Sequence, residues 1–224
     1  MSGVPMARRM RVVVLVSLLA WPGIASAQAK AGFSITPFLG AADPGRDLLL
    51  RPGLQAGLDQ EKQAIYGLVG ARIGFGLTPL IELEADIASG KSGLKVSTLA
   101  APSGTDASVL TMTGRVSFRL KQPIEPMWIT VNGGVAALKR SFSQRTPGVQ
   151  TAISDKTSAG AVFGSVVGFR MSRRASLTIG ADVFLYNASF HVAATGTQPA
   201  GETQALTQRD IRVTMGVRIP LTGL

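Results

Sequence analysis

Charged side chains at alternate positions are the residues of this sequence most suited to specific chemistry. In the stretch LIELEADI (80–87), Glu82, Glu84 and Asp86 alternate with aliphatic residues. Alternation is the period of a β-strand, so the three carboxylates share one face of a strand and the aliphatic side chains share the other. An unpaired charge away from water costs several kcal/mol, so we expect these carboxylates to pair with basic groups.

Arginines with the same alternation supply the partners. A tight turn near Thr78 would place Arg72 opposite Glu82 or Glu84, with further arginines on the strand beyond. We predict a ladder of ion pairs in a shared interior, either as a plug that sets the register of the strands or as the gate of a narrow conduction path. Its predicted members are Arg72, Glu82, Glu84, Asp86, Arg115, Arg119, Asp182 and Arg212.

A nucleophile and a base also occur close together, at Ser189 and His191. Residues two apart share a strand face, and some outer-membrane hydrolases that act on lipid A use a serine with a histidine base. In the known deacylase pattern, however, the histidine precedes the serine, and no third, orienting group lies near this pair. We therefore predict no catalytic residue and no enzymatic activity, and keep a lipid A-modifying hydrolase as an alternative.

Cofactor and metal sites are not indicated. The chain has no cysteine and one histidine, which rules out thiolate or histidine-rich metal sites. The spacing of Asp43, Asp47 and Asp59 matches no known cation loop, and glycines such as Gly70 and Gly74 lie on strand faces with no helix after them to bind phosphate. We predict no cofactor and no metal.

The first residues have the pattern of a secretory leader. Arg8, Arg9 and Arg11 precede a short apolar run that Pro22 interrupts, and Ala25-Ser26-Ala27 forms a cleavage motif. The sequence therefore predicts a signal peptide over 1–27 and one domain over 28–224. Removing the leader lowers the net charge from +10 to +7. For an exported protein we expect anionic lipid rather than nucleic acid as the counter-charge.

The remaining chain is a series of alternating segments, which predicts an all-β fold. In the segment 108–121, for example, Met112, Val116 and Phe118 alternate with Thr113, Arg115 and Ser117. The predicted strands are 31–41, 63–77, 80–89, 108–121, 127–138, 159–171, 175–190 and 209–221.

Long and short connections alternate along the chain. Long links at 42–62, 90–107, 140–158 and 191–207 are separated by tight turns near Thr78, at 121–126 and at 172–174. In an antiparallel sheet alternate connections lie at opposite ends. All long links are therefore expected at one end, which is the arrangement of outer-membrane barrels.

The choice of inner face follows from the side chains. The polar faces carry arginine, threonine and glycine, which suit a narrow interior filled by side chains. The aliphatic faces then point to lipid, and a soluble lipocalin-like binder, with these faces reversed, remains an alternative. Aromatic residues at the ends of strands predict a girdle at the membrane surface: Phe33, Phe75, Phe118, Trp128 and Phe169.

By this pattern the chain resembles the small eight-stranded outer-membrane proteins, the class with the OmpA-like transmembrane domain and the OmpX-like barrels. The resemblance implies an eight-stranded antiparallel up-and-down barrel in the outer membrane of a Gram-negative bacterium, with both termini periplasmic and as a monomer. It also implies handling by the barrel-assembly machinery, although the last residue, Leu224, is not the aromatic residue usual in that class.

The expected function is structural or interactive, with the long loops exposed outside the cell. A narrow channel for small solutes is the alternative. Lys139, Arg140 and Arg145 give the third long link an excess of positive charge. We predict that these three side chains contact lipopolysaccharide at the membrane surface.

Overall fold

Most of the chain forms long antiparallel strands. The structure, a computed structural model, describes residues 32–45, 49–50, 60–96, 102–120, 126–144, 156–172, 174–188, 191–192, 201–202 and 206–221. The eight long strands of this part are β1 (Gly32–Pro44), β2 (Tyr66–Gly76), β3 (Ile81–Val96), β4 (Pro102–Arg119), β5 (Met127–Gln144), β6 (Lys156–Arg170), β7 (Ser176–Ala188) and β8 (Leu206–Pro220). Short strands occur at Leu49–Leu50, Gln60–Gln63, His191–Val192 and Gly201–Glu202.

The long strands close into a barrel. Each strand pairs with the next in the sequence, and β8 returns to pair with β1, for example at Ile35 and Ile219. Every long strand therefore has two neighbours, and the sheet has no open edge between its first and last strands. The predicted eight-stranded antiparallel up-and-down barrel is confirmed. Among the described residues, no helix is long and apolar enough to cross a membrane.

All the predicted strands are present, but several are longer than predicted. β3 continues to Val96 and β4 begins at Pro102, while β5 continues to Gln144 and β6 begins at Lys156. The predicted links 90–107 and 140–158 are therefore wrong in extent, and only 97–101 and 145–155 within them lie outside the described residues. Backbone pairing continues after the outer face turns polar, as at Ser108 and Ser141, while the inner face becomes apolar, as at Ala107 and Val109. The apolar outer face by which the strand was identified therefore ends before the strand does.

The register of the first hairpin differs from the prediction. Its turn centres on Pro79 rather than Thr78, because the amides of Leu77 and Thr78 both donate to the carbonyl of Ile81. Arg72 is therefore paired with Asp86, not with Glu82 or Glu84.

Aliphatic and polar side chains separate as expected. Val69 and Val135, on the outer face, are 67% and 69% exposed, whereas Arg115 and Asp182 on the inner face are 3% and 0% exposed. Trp128 is an exception to the predicted girdle, since it points inward and is buried, whereas Phe33, Phe118 and Phe169 lie outside. Below, the turn end is the end where β1 begins and β8 ends, and the loop end is the opposite one.

Candidate functional site

Two aspartates from opposite walls meet in the middle of the barrel. Asp86 lies on β3 and Asp182 on β7, and the guanidinium of Arg212 binds both. Its Nη1 and Nη2 donate to Asp86 at 3.1 and 3.0 Å, and its Nε and Nη2 donate to Asp182 at 3.1 and 2.8 Å. One arginine therefore joins strands that are not neighbours in the sheet.

Two more arginines complete this central cluster. Arg115 donates to Asp182 at 2.8 Å and to Asp86. Arg72 lies 3.7 Å from Asp86, 3.9 Å from Asp182 and 4.0 Å from Glu84. Three guanidiniums thus face three carboxylates, so the cluster is neutral overall. Neutrality and shared hydrogen bonds are what make buried charges tolerable in a low-dielectric interior.

A second group of ions lies nearer the turn end. The carboxylate of Glu82 accepts hydrogen bonds from Arg218 at 2.7 Å and from Ser34 at 3.2 Å, and Arg119 lies 3.8 Å away. The side chain of Glu82 lies over Gly74 on the adjacent strand β2. A Cβ at position 74 would collide with the carboxylate. The structure therefore brings all eight predicted interior residues into ion-pair contact, although in two separate groups.

Arg218 is an interior residue that the sequence prediction omitted. It lies six positions after Arg212 on β8, and an even separation places both on the same face of a strand. The alternation was thus sufficient to identify it.

A third polar group lies near the loop end and corrects one surface prediction. Arg140 was expected on an external loop in contact with lipopolysaccharide, but it lies on β5 with its side chain inside the barrel, and the residue is 1% exposed. It donates to Asp210 at 2.6 Å and to Gln63 at 3.1 Å, and Tyr186 donates to Asp210 at 2.9 Å. The prediction missed this contact because the strand was expected to end at 138, although Arg140 lies eight positions after the inward-facing Asn132.

The other two predicted surface residues have different outcomes. Lys139 is exposed on the outer face of β5, one position before Arg140. Arg145 lies outside the described residues.

Apolar side chains fill the interior between the central cluster and the loop end. Phe38, Val162 and Phe184 are 7%, 0% and 2% exposed. The guanidinium of Arg212 stacks on two of them, 5.5 Å from the ring centre of Phe38 and 4.9 Å from that of Phe184. Such cation–π contacts favour a charged group in a place with little water. Ion pairs therefore fill the middle of the barrel, and apolar side chains fill the space between them and the loop end.

Neither a catalytic nor a metal site is apparent in the described part of the chain. His191 lies on a short strand paired at Glu202, and Ser189 is not among the described residues. In the same part of the chain, no group of three histidine, cysteine, aspartate or glutamate residues is placed to hold a metal ion.

Comparison with known proteins reveals a likeness of fold. The outer membrane protein OprG from Pseudomonas aeruginosa aligns with a TM-score of 0.67 at 12% identity, over 86% of this chain and 97% of OprG. The outer membrane protein AlkL, determined in lipid bilayers, aligns with a TM-score of 0.56 at 14% identity, over 89% of this chain and 95% of AlkL. No protein-family model and no curated protein sequence matches the chain. The fold is that of the eight-stranded outer-membrane β-barrels.

Proposed function

We propose that the chain is an integral outer-membrane protein without enzymatic activity, which stabilises the envelope or presents its loops for interaction outside the cell. The observation that carries this proposal is the filled interior. The side chains of Asp86, Arg115 and Asp182 are 0% exposed and bonded to one another across the barrel. An interior closed in this way favours a structural wall over an open path for solutes.

The outer face supports a membrane location. Large hydrophobic side chains are exposed on every long strand, for example Leu39, Ile73, Ile87 and Val213, each 50–58% exposed. Soluble proteins rarely expose apolar patches of more than a few hundred Å², so a continuous apolar belt favours lipid as the neighbour. This belt also argues against the soluble lipocalin-like alternative. The fold of known outer-membrane barrels makes that membrane the natural choice.

The connections support a proposed orientation in the membrane. The turn at 77–80 and the hydrogen bonds from Met171 and Ser172 to Ala175 lie at the end where β1 begins and β8 ends. Short turns face the periplasm in bacterial outer-membrane barrels, so both termini would lie there. We propose that residues 1–27 are removed on export, that the barrel-assembly machinery inserts the protein, and that the closed barrel works as a monomer.

Lipopolysaccharide remains the proposed lipid partner, with a revised set of residues. Lys91, Lys139 and Arg209 are exposed on the outer faces of β3, β5 and β8, just beyond the apolar belt toward the loop end. Basic groups at this level lie near the lipid phosphates, where each contributes about 1 kcal/mol at low salt. Arg145 remains a predicted contact of lipopolysaccharide, whereas Arg140 is not one because its side chain lies inside the barrel.

Fractionation and gel mobility test the membrane proposal. The protein should remain in the outer-membrane fraction after osmotic shock and after washing with alkaline carbonate. Detergent-resistant barrels migrate differently before and after boiling, so two gel positions are expected. Release by osmotic shock together with a single gel position would disprove an integral barrel.

Conductance measurements distinguish the proposed non-conducting barrel from the alternative, a narrow channel for small solutes. In planar lipid bilayers, both the parent protein and Arg72→Ala should show negligible conductance, because Arg115 and Arg212 still span the interior between Asp86 and Asp182. Thr157→Ala, on the outer face of β6, is the matched control. Steady channel openings of the parent protein, altered by Arg72→Ala but not by Thr157→Ala, would instead establish the gated channel.

A further inference from the structure

Two adjoining cavities open at the turn end of the barrel, apart from the central cluster. The larger is about 340 Å³ and is lined by Arg119, Trp128, Arg170, Ser176 and Arg218, among others. The smaller, about 170 Å³, shares Arg119 and Arg218 with it. The larger cavity alone reaches the size of small-molecule sites, which starts near 300 Å³. The two shared arginines therefore lie where a ligand entering either cavity would meet them.

The charges in this mouth differ from those of the central cluster. Two arginines that line both cavities, Arg119 and Arg218, lie against one described carboxylate, that of Glu82. Arg218 and Arg119 share this single carboxylate, at 2.7 and 3.8 Å. Arg119 also makes a long contact of 3.5 Å to the carbonyl of Pro79. Glu82 thus orients two guanidiniums while neutralising only one of them.

The sheet register places donors side by side at the wall of the larger cavity. Arg170 on β6, Ser176 on β7 and Arg218 on β8 are direct cross-strand partners. Residues paired in this way lie about 5 Å apart, so a serine hydroxyl stands between two arginines. Guanidinium forks bind oxyanions through paired N–H groups, and a tetrahedral oxyanion can accept from several directions at once.

Trp128 forms the apolar floor of this mouth. Its indole lies flat over Gly168 on β6, where a Cβ would collide with the ring. The guanidinium of Arg119 lies 5.7 Å from the centre of the indole ring. The indole is therefore fixed directly beside the arginines, and its fluorescence reports on anything that binds them.

We propose that this mouth is a binding site for a phosphate group carried by a small molecule or a lipid headgroup. Arg218 and Ser176 contact the phosphate from the wall, Arg119 contacts it from the other side of the mouth, and Trp128 packs against the attached organic part. A planar carboxylate satisfies one guanidinium fork, whereas a phosphate has enough oxygens for both arginines and the hydroxyl.

Titration of the purified, folded protein in an uncharged maltoside detergent tests the site. Trp128 is the one tryptophan of residues 28–224, so its emission is observed alone once residues 1–27 have been removed. Inorganic phosphate and glycerol 3-phosphate are added against sodium chloride at equal ionic strength. We expect a saturable change in Trp128 emission with phosphate that chloride does not produce.

Variants link the signal to the arginines. Arg119→Gln and Arg218→Gln should each weaken binding by about tenfold or more, the loss expected for one charge-assisted hydrogen bond. Arg218→Lys keeps the charge and should bind with intermediate affinity. Thr157→Ala, on the outer face of β6, should bind as the parent does. Each variant is first checked for heat-modifiable gel mobility, so that misfolding is not read as lost binding.

A lipid arm of the experiment identifies the source of the phosphate. Phosphatidylglycerol in mixed micelles is compared with glycerol 3-phosphate, and retained lipid is detected by native mass spectrometry. Tighter binding of phosphatidylglycerol supports a lipid headgroup, and tighter binding of the soluble ester supports a free metabolite. The proposal is overturned if neither binds beyond the chloride control, or if Arg119→Gln and Arg218→Gln bind as the parent does.

Discussion

Arg212 and Asp86 lie 126 positions apart in the chain, yet two hydrogen bonds of 3.1 and 3.0 Å join their side chains across the barrel. The same guanidinium also binds Asp182, its direct cross-strand partner on the neighbouring strand β7. Because the contact between Arg212 and Asp86 forms only when β8 has paired with β1, it depends on closure of the whole barrel and not on one hairpin.

Removing this arginine should strongly destabilise the barrel. Arg212→Met leaves Asp86 and Asp182 with fewer partners, and breaking a buried ion network costs about 3–5 kcal/mol. The measurement is the temperature at which the folded gel band disappears, with Arg209→Met on the outer face of the same strand as control. Adding Asp182→Asn to Arg212→Met should recover part of the loss, since it removes one stranded charge. Equal melting of Arg212→Met and Arg209→Met would contradict this role.

Neighbouring basic residues on β5 should behave in opposite ways. Arg140 binds the buried Asp210 at 2.6 Å, whereas Lys139 is exposed on the outer face. Arg140→Met should therefore lower the free energy of unfolding in urea by about 3–5 kcal/mol, and Lys139→Met should change it by less than about 0.5 kcal/mol. Both proteins are refolded into the same lipid vesicles for the measurement. A larger effect at Lys139 would mean that the assigned faces of β5 are reversed.

Retention on lipopolysaccharide should depend on the outer basic residues. Changing Lys91, Lys139 and Arg209 to glutamine removes three charges that lie just beyond the apolar belt. At low salt the triple variant should bind immobilised lipopolysaccharide more weakly, because each basic group near an anionic lipid surface contributes about 1 kcal/mol. The difference should shrink near 0.15 M salt, where screening acts over about 8 Å. Equal retention at low salt would remove these residues from the lipid contact.

A charge on the apolar belt should oppose insertion. Val131 lies near the middle of the outer face of β5 and is 40% exposed, so Val131→Arg would place a guanidinium against lipid tails. An arginine at the bilayer midplane costs about 2–4 kcal/mol in such barrels and little near the interface. Thr157→Arg, exposed beyond the belt on β6, is therefore the control. The measurement is the fraction that folds into vesicles, and equal fractions for both variants would argue that this face does not contact lipid.

The positions of the strands and the division of side chains between two faces were determined by the sequence itself. Successive side chains of a strand point to opposite faces, so alternation can be recognised from neighbouring residues alone. It placed Glu82, Glu84 and Asp86 on one face. Arg218 shows the same rule, since its separation from Arg212 was enough to place it inside the barrel.

Three features were decided by the tertiary structure alone. The register of the first hairpin pairs Arg72 with Asp86, because hydrogen bonds to the carbonyl of Ile81 shift the turn by one residue. The extension of β5 carries Arg140 into the interior, because backbone pairing continues after the apolar residues of the outer face have ended. The contact between Arg212 and Asp86 depends on closure of β8 onto β1, and a pattern that repeats every two residues carries no information about which distant strand lies across the barrel.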